Sequence, residues 1–352
     1  MSTPRRTFLP IVAFVLVGAA LVAPFALPTA ADAAGDARIR LNQLGYPTGV
    51  GFRVYLMSAG AEGGATWTLT RGATVAGTGS VGTDLGSWSS TYPHVYAISV
   101  PAQATAGAYT LTVAGPLPAT SPSFPIDTGQ HLYADALTNA LRFYQVQRDG
   151  PNFVPSALRT AGGHLHDANA MTYTIPNYNS GSGTFKGDLH ATGTRIDASG
   201  GWFDAGDYLK FTMAAAYAES LLLTGVRDFP AQMGTSAGSS DFTAEGRFGA
   251  DWLLRMWDDS TKTMYFQVGI GEGNAQTLGD HDIWRLPQAD DHWGGSSSSA
   301  RYIRYRPVFR AGPPGSLISP NIAGRVSAAL AEAYQVYKGS DPVFADKCLI
   351  AA

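Results

Sequence analysis

The sequence predicts a two-domain protein, in which an all-β sandwich of the immunoglobulin type precedes an all-α domain. The length of 352 residues is the first indication, because single domains usually hold about 100–200 residues. The second is a change of pattern near residue 126, where period-two alternation gives way to apolar residues at helical spacing. The third is composition: 45% of the residues are hydrophobic, which suffices for a sizeable core and excludes a disordered chain.

Charge and cysteine content exclude several classes of function. The chain has 24 Lys and Arg residues against 27 Asp and Glu residues, a net charge of -3. This balance leaves no strongly basic surface for phosphates, so we expect no nucleic-acid partner. The single cysteine, Cys348, excludes a disulfide framework within the chain, and its place on a predicted helix indicates a small buried residue. We expect a monomer.

Residues 1–33 are predicted to be a secretory signal peptide. Arg5 and Arg6 precede an uncharged run over residues 7–31, and Ala31-Asp32-Ala33 offers small residues for cleavage. The arginine pair also fits a twin-arginine signal, which leaves the export route open. Prolines interrupt the uncharged run, which disfavours the alternative of a membrane-spanning anchor. We therefore expect a secreted, extracellular protein without membrane attachment after cleavage.

Residues 37–126 are predicted to form the sandwich. Alternation is visible at residues 53–57, 66–70 and 109–113, between turns rich in Gly and Pro. About seven such strands in a stretch of this length fit an immunoglobulin-type sandwich. No constellation of catalytic residue types lies in this stretch, so we expect a structural or spacer domain.

Residues 130–352 are predicted to be helical, with a functional site at one end of the helices. Apolar residues recur at helical spacing in four stretches, 132–144, 209–221, 248–256 and 322–334. The connections over residues 172–201 and 280–316 are long and rich in Gly, Ser, Asp and aromatic residues. Long connections of this kind inside a compact domain are usually functional.

The most informative segment contains two carboxylates, Asp204 and Asp207, three residues apart among small residues. In a tight turn both can face one pocket, and their repulsion favours sharing a water or a cation. One Asp could take a proton from water while the other holds that water in place. Such a base for water is one half of the catalytic machinery of an inverting glycosidase. The alternatives are a helix N-cap with an accompanying acid, and a calcium loop, for which the spacing is wrong. Gly200-Gly201-Trp202 just before permits close backbone approach beside a ring suited to stacking on sugar.

The run Gly200–Phe211 resembles the G-G-W-x-D-A-G-D-x-x-K-F segment of glycoside hydrolase family 9, the inverting cellulases. Upstream, residues 41–46 resemble the start of the immunoglobulin-like domain that precedes one branch of the family. Further segments that resemble the family follow in its order, at residues 140–143, 147–150, 164–168, 251–256, 265–269, 280–284 and 315–316.

The resemblance implies an (α/α)6 barrel with an open cleft for a β-1,4-glucan chain. It implies that Asp207 is the catalytic base and that Asp204 is its partner on the attacking water. His281 and Trp284 match cleft positions that bind glucosyl units, and Trp202 is a further candidate for substrate binding. The function implied is that of a secreted endo-β-1,4-glucanase. The alternative is a non-catalytic β-glucan-binding or structural secreted protein.

The chain departs from the family pattern at its end. The family's general acid is a Glu near the end of the catalytic domain, whereas this chain ends at Ala352, in what the resemblance implies is the middle of an incomplete barrel. None of Glu219, Glu245, Glu272 and Glu332 lies in the family's acid motif. We therefore expect the N-terminal part of a glucanase that is inactive by itself.

No cofactor or metal is expected. Some family members bind zinc through cysteines beside the histidine segment, but here Gly163 precedes His164. Calcium stays an open alternative without supporting residues, because Leu317-Ile318-Ser319 replaces the acidic residues often associated with it. His164 and its neighbour His166 are predicted to form hydrogen bonds, and Asp290-Asp291-His292 is predicted to be a solvated loop.

Overall fold

The chain divides into two compact units, with the boundary between Asp127 and Thr128. The computed structural model describes residues 36–234 and 241–352. The predicted signal peptide therefore lies outside the described residues.

The first unit consists of strands arranged in two sheets. The strands are β1 (Ala37–Arg40), β2 (Tyr46–Pro47), β3 (Phe52–Ser58), β4 (Thr66–Arg71), β5 (Thr74–Ser80), β6 (His94–Val100), β7 (Gly107–Ala114), β8 (Ala119–Thr120) and β9 (Phe124–Asp127). One sheet has the order β1-β3-β6; the other has the order β2-β9-β7-β4-β5, with β8 paired to β7. The predicted all-β character of this stretch is confirmed, and β2 and β8 are two-residue strands that the alternation did not reveal.

The two sheets of this unit share one core. Alternate residues of strands such as β3, β4, β6 and β7 point inward, as Leu56 of β3 and Leu111 of β7 show, and both are fully buried. Burial of such a side chain is worth about 1.5–3 kcal/mol. Trp67 of β4 lies over β5, where a Cβ at Gly79 would fall 2.7 Å from the indole ring. The absence of a side chain at Gly79 therefore leaves the space that the indole ring occupies in the core.

The second unit combines helices with short strands. In chain order they are α1 (Gly129–Gln147), β10 (Ala170–Tyr173), β11 (Ala191–Ile196), β12 (Lys210–Phe211), α2 (Thr212–Asp228), α3 (Pro230–Met233), α4 (Phe242–Arg255), β13 (Trp257–Asp258), β14 (Thr263–Val268), α5 (Arg301–Arg304), β15 (Val308–Arg310), α6 (Pro320–Tyr337) and α7 (Pro342–Ala351). Each stretch with helical spacing corresponds to a long helix, although Leu209 precedes α2. None of the described helices is long and apolar enough to cross a membrane.

The prediction of an all-α second domain is wrong in one respect, because this unit also contains a six-stranded sheet. Its order is β11-β10-β15-β14-β12, with β13 paired to β14. β10, β11 and β15 lie in the long connections that carried no helical pattern. In β12, Lys210 pairs with Val268 of β14, which joins the segment after Asp207 to the strand that leads toward His281. The sheet therefore brings the two predicted parts of the site to one place.

Helices α2, α4 and α6 pack against one another, and α7 packs on α6. Small residues at the contacts, such as Ala216 and Ala329, are fully buried. On α4, a Cβ at Gly249 would fall 2.1 Å from the Trp202 ring and 2.3 Å from a carboxyl oxygen of Glu219. Cys348 is buried in α7, as predicted.

Glu219 of α2 is fully buried, and neither of its carboxyl oxygens has a hydrogen-bond partner among the described residues. Burial, followed by the charges of Glu245, Glu332 and Asp251, raises the pKa of Glu219 well above its ordinary value. A raised folded-state pKa means that the folded protein binds more protons than the unfolded chain. The contribution of protonated Glu219 to the free energy of unfolding is therefore complete below the unfolded pKa of about 4.3, and it is lost as pH rises toward the folded pKa.

We expect Glu219→Gln to remove this loss of stability with rising pH. Each proton difference changes the free energy of unfolding by about 1.4 kcal/mol per pH unit. Urea unfolding between pH 5 and pH 8 measures the effect, and the difference between variant and wild type should move in favour of the variant as pH rises. Asp346→Asn, at an exposed carboxylate of α7, is the control. Parallel pH dependences for Glu219→Gln and wild type would contradict the prediction.

Candidate active site

Asp204 and Asp207 lie on one tight turn between Trp202 and β12. The Asp204 N–H donates to the Leu209 carbonyl at 2.9 Å and closes the turn. Asp204 is exposed, whereas the Asp207 side chain is 19% exposed. Helix α2 begins at Thr212 without a side-chain cap, so neither Asp is its N-cap. The N-cap alternative is therefore wrong.

Two glycines before the turn are required by its backbone. Gly200 and Gly201 have φ values of +85° and +75°, in the left-handed region that favours glycine. A Cβ at Gly201 would fall 2.6 Å from the Trp252 ring. The predicted close approach of the backbone is thus present, but it is an approach to the protein's own core.

His281 joins Asp207 to a second carboxylate. Its Nε2 lies 2.6 Å from Asp207 Oδ2, and its Nδ1 lies 3.1 Å from Glu272 Oε1. The hydrogen bond with Asp207 is the largest effect that raises the pKa of His281 above its ordinary value, and that with Glu272 adds to it. Asp207 Oδ1 is buried and has no hydrogen-bond partner among the described residues. Desolvation and the charge of Asp207 raise the pKa of Asp204.

Trp284 lies three residues after His281, and its side chain is 94% exposed. An apolar ring with so large an accessible face is available to a ligand. The structure therefore brings His281 into contact with Asp207 and leaves Trp284 accessible on the same short segment.

Trp202 has a different environment from Trp284. It is 5% exposed, and its Nε1–H donates to Glu245 at 2.8 Å. Its ring lies between those of Tyr144 and Phe248, at centroid distances of 5.5 Å and 6.0 Å. Because the ring is enclosed by core residues, this placement does not support the predicted substrate-binding role. Arg148 completes the group through its ion pair with Glu245 at 2.6 Å.

Beneath the turn lies a buried ionic cluster. Its members are Asp149, His164, Asp167, Lys210, Asp280, Arg285, Asp290 and Arg306. Lys210 Nζ lies 2.9 Å from Asp149 and 3.0 Å from Asp167, and Arg306 contacts the same two carboxylates. Burial alone would raise the pKa of Asp149, but the charges of His164, Lys210 and Arg306 hold it well below its ordinary value.

His164 and Asp290 form the other half of the buried ionic cluster. His164 Nδ1 lies 2.7 Å from Asp149 and its Nε2 lies 2.9 Å from Asp290, which confirms the predicted hydrogen-bonding role. The prediction of a solvated loop is wrong for Asp290, which is fully buried and lies 2.7 Å from Arg285. Burial and Arg306 oppose protonation of His164, but the two carboxylates outweigh them and raise its pKa.

The buried ionic cluster holds both parts of the site. Asp280, directly before His281, accepts the Tyr208 N–H at 2.6 Å. Arg306 donates to the Tyr208 carbonyl. The residue after Asp207 is thus fixed at both backbone groups. Sequence reasoning missed this role, although Asp149, Lys210 and Asp280 lie inside the segments that carry the family resemblance.

The four glutamates of the second unit have different environments. Glu219 and Glu245 are buried between helices, and Glu332 accepts a hydrogen bond from Thr224 at 2.9 Å. Glu272 contacts His281. Within residues 36–234 and 241–352, no three His, Cys, Asp or Glu side chains are grouped so as to hold a metal ion.

Comparisons with known proteins identify the family of each unit. A family model for glycosyl hydrolase family 9 matches residues 133–352, and a model for the cellulase N-terminal ig-like domain matches residues 34–116. Endoglucanase 19 of Oryza sativa subsp. japonica is 30% identical over 222 residues, which cover 62% of this chain and 34% of the rice protein. Endoglucanase B of Cellulomonas fimi is 29% identical over 216 residues, 60% of this chain and 16% of that protein. The chain thus spans about a third or less of these relatives.

Solved structures show the same fold. A thermostable endoglucanase variant from Alicyclobacillus acidocaldarius matches with a TM-score of 0.61 and 23% identity, covering 89% of this chain and 50% of that one. A metagenome-derived glycoside hydrolase family 9 endoglucanase matches with a TM-score of 0.60 and 23% identity, covering 90% and 53%. The family model covers more than half of the chain and includes the turn with Asp204 and Asp207. The chain therefore belongs to glycosyl hydrolase family 9, with a cellulase-type immunoglobulin-like domain at its N-terminal side.

Proposed function

We propose that this chain is part of a secreted endo-glucanase that hydrolyses β-1,4-glucosidic bonds of cellulose or related β-glucans with inversion. The observation that carries the proposal is the Asp204–Asp207 turn with His281 bound to Asp207. Membership of family 9 and the names of the relatives, which are endoglucanases, support the substrate class. The helical unit would form part of an (α/α)6 barrel.

In the proposed reaction Asp207 is the general base. Its carboxylate, which His281 holds at Oδ2, takes a proton from water. The oxygen of that water attacks the anomeric carbon on the face opposite the leaving group. Asp204, close to Asp207 along the turn, orients the same water. The glycosidic oxygen leaves with a proton from a general acid, which inverting enzymes place about 6.5–9.5 Å from the base. The family resemblance assigns that acid to a Glu near the end of the catalytic domain.

The test is hydrolysis of carboxymethyl cellulose by the full-length protein. We expect release of reducing sugar, and NMR of the first product should show the α-anomer. We expect no turnover from residues 34–352 alone. Retention of the protein on cellulose without release of reducing sugar would overturn the proposal in favour of a glucan-binding protein. Recovery of the mature protein from the culture medium, without its first 33 residues, would test secretion.

We expect Trp284→Ala to raise the KM for soluble glucan by about two- to tenfold. Aromatic contacts of this type are worth about 0.5–1.5 kcal/mol beyond the area they bury. The kcat should change little, because the ring stacks on a sugar and moves no proton. Steady-state kinetics on cellohexaose measures both constants. Trp88→Ala, at a 75% exposed tryptophan of the first unit, is the matched control. An equal effect of the two substitutions would count against a subsite at Trp284.

A further inference from the structure

We propose that Glu272 is a positioning residue for the general base, because it holds His281 in the orientation in which the ring binds Asp207 Oδ2. The inference rests on the proposed function, since it assigns a role within that reaction. Glu272 itself touches neither Asp207 nor the reacting atoms and acts through the imidazole.

The geometry connects the three side chains in line. Asp207 and Glu272 occupy the two ring nitrogens of His281, at 2.6 Å and 3.1 Å. Both ring nitrogens of an imidazolium are donors, so the Nδ1–H donates to the ionised Glu272 and the Nε2–H donates to Asp207. Asp207 comes from the turn before β12, whereas the other two residues come from the segment after β14. Glu272 thereby fixes the direction in which the histidine presents Nε2.

The segment after β14 is built to hold this arrangement. The Asp282 carboxylate accepts the Gly273 N–H at 3.0 Å and the Gly279 N–H at 2.7 Å. The His281 N–H donates to the Gly271 carbonyl at 3.1 Å. A Cβ at Gly271 would fall 2.8 Å from Cε1 of the His281 ring, so the ring lies directly on this glycine. Glu272 is therefore attached to backbone that is fixed on both sides.

Electrostatics gives Glu272 a second effect. His281 faces Asp207 from the turn and Glu272 from its own segment, which together favour the imidazolium. The two carboxylates and the imidazolium leave one net negative charge on the trio, and a base needs that charge to draw a proton from water. The neighbouring carboxylates are engaged elsewhere, Asp280 with Arg285 and the Tyr208 N–H, and Asp282 with backbone amides.

Removal of the Glu272 charge should change the pH profile. Glu272 contributes to the raised pKa of His281, so Glu272→Gln should lower that pKa. The imidazolium is present below its pKa and is lost as pH rises through it. The decline of kcat/KM on the alkaline side should therefore begin at lower pH in the variant. Misplaced catalytic groups cost up to about 100-fold in rate, and we expect kcat to fall by about ten- to a hundredfold.

The experiment compares wild type, Glu272→Gln and the control Asp346→Asn in the full-length protein. Imidazole signals are followed by NMR between pH 5 and pH 9, with His281→Gln used to assign the His281 signal, and kcat/KM is measured over the same range. We expect a lower His281 pKa and an earlier alkaline decline in Glu272→Gln alone. The side chain of Glu272 is 46% exposed, so the fold should tolerate the change, and circular dichroism verifies this.

The outcomes separate this inference from the proposed function. An active wild type whose His281 titration and pH profile are unchanged by Glu272→Gln would overturn the positioning role and leave the hydrolysis standing. A lower His281 pKa with an unchanged pH profile would also overturn it, because the contact would then be structural. A wild type without hydrolysis would overturn the proposed function, and the role of Glu272 with it.

Discussion

Asp207→Asn should abolish hydrolysis in the full-length enzyme, with kcat lower by about two to four orders of magnitude. An amide has nearly the shape of a carboxylate but does not accept a proton from water. The substitution keeps one oxygen and one hydrogen-bonding nitrogen near His281, so the turn that closes between Asp204 and Leu209 should persist. The KM for soluble glucan should change little, because the loss falls on the chemical step. Purified protein and a reducing-sugar assay measure both constants.

Asp197→Asn is the matched control for that experiment. Asp197 lies in the same segment, accepts the Ser199 N–H at 2.9 Å and pairs with Arg255 at 3.2 Å on the surface. An asparagine oxygen also accepts from Ser199, and an exposed ion pair is worth about 0–1 kcal/mol. Activity close to wild type is expected for this variant. Near-normal turnover by Asp207→Asn would remove Asp207 from the role of base.

The sequence revealed the features that depend on local patterns. Helical spacing marked α1, α2, α4 and α6, and the two carboxylates stood out because Asp204 and Asp207 are three residues apart. The contact of Asp207 with His281 spans 74 residues. The family resemblance implied only that both residues lie in the cleft, and the contact itself was not predicted, since no spacing in one sequence indicates it.

The features that could not be predicted depend on distant partners. The sequence around Asp290 is that of a polar loop, and it does not indicate burial because the partner His164 lies 126 residues earlier in the chain. Its burial is stable only because that histidine and Arg285 compensate its charge. In the sequence, Trp202 beside a glycine pair fits stacking on sugar as well as packing in the core. The structure decides between the two, because the indole N–H donates to the buried Glu245.

Lys210→Met should have the largest effect on stability, with an expected loss of about 3–5 kcal/mol. Lys210 is fully buried, and its ammonium group contacts Asp149, Asp167 and the carbonyls of Ala198 and Gly200. Methionine fills a similar volume without a donor. It leaves Arg306, with His164 at Asp149, to compensate the two carboxylates, and the carbonyls of Ala198 and Gly200 each lose a donor.

The stability loss caused by Lys210→Met should also depend on pH in a defined direction. The pKa of Asp149 in the folded protein lies below its ordinary value, so its stabilising contribution is present above the unfolded pKa of about 3.9 and is lost as pH falls. Lys210→Met should therefore cost most near neutral pH and less in acid, where protonated carboxyls no longer need the ammonium. Urea unfolding followed by the helical circular dichroism signal at pH 7 and at pH values from about 4 down to about 2, which lie below the unfolded pKa, measures the dependence. Lys347→Met, at an exposed lysine of α7, should stay within about 0.5 kcal/mol of wild type. A loss for Lys210→Met that is equally small would mean that the buried carboxylates of Asp149 and Asp167 do not need the ammonium group for their compensation.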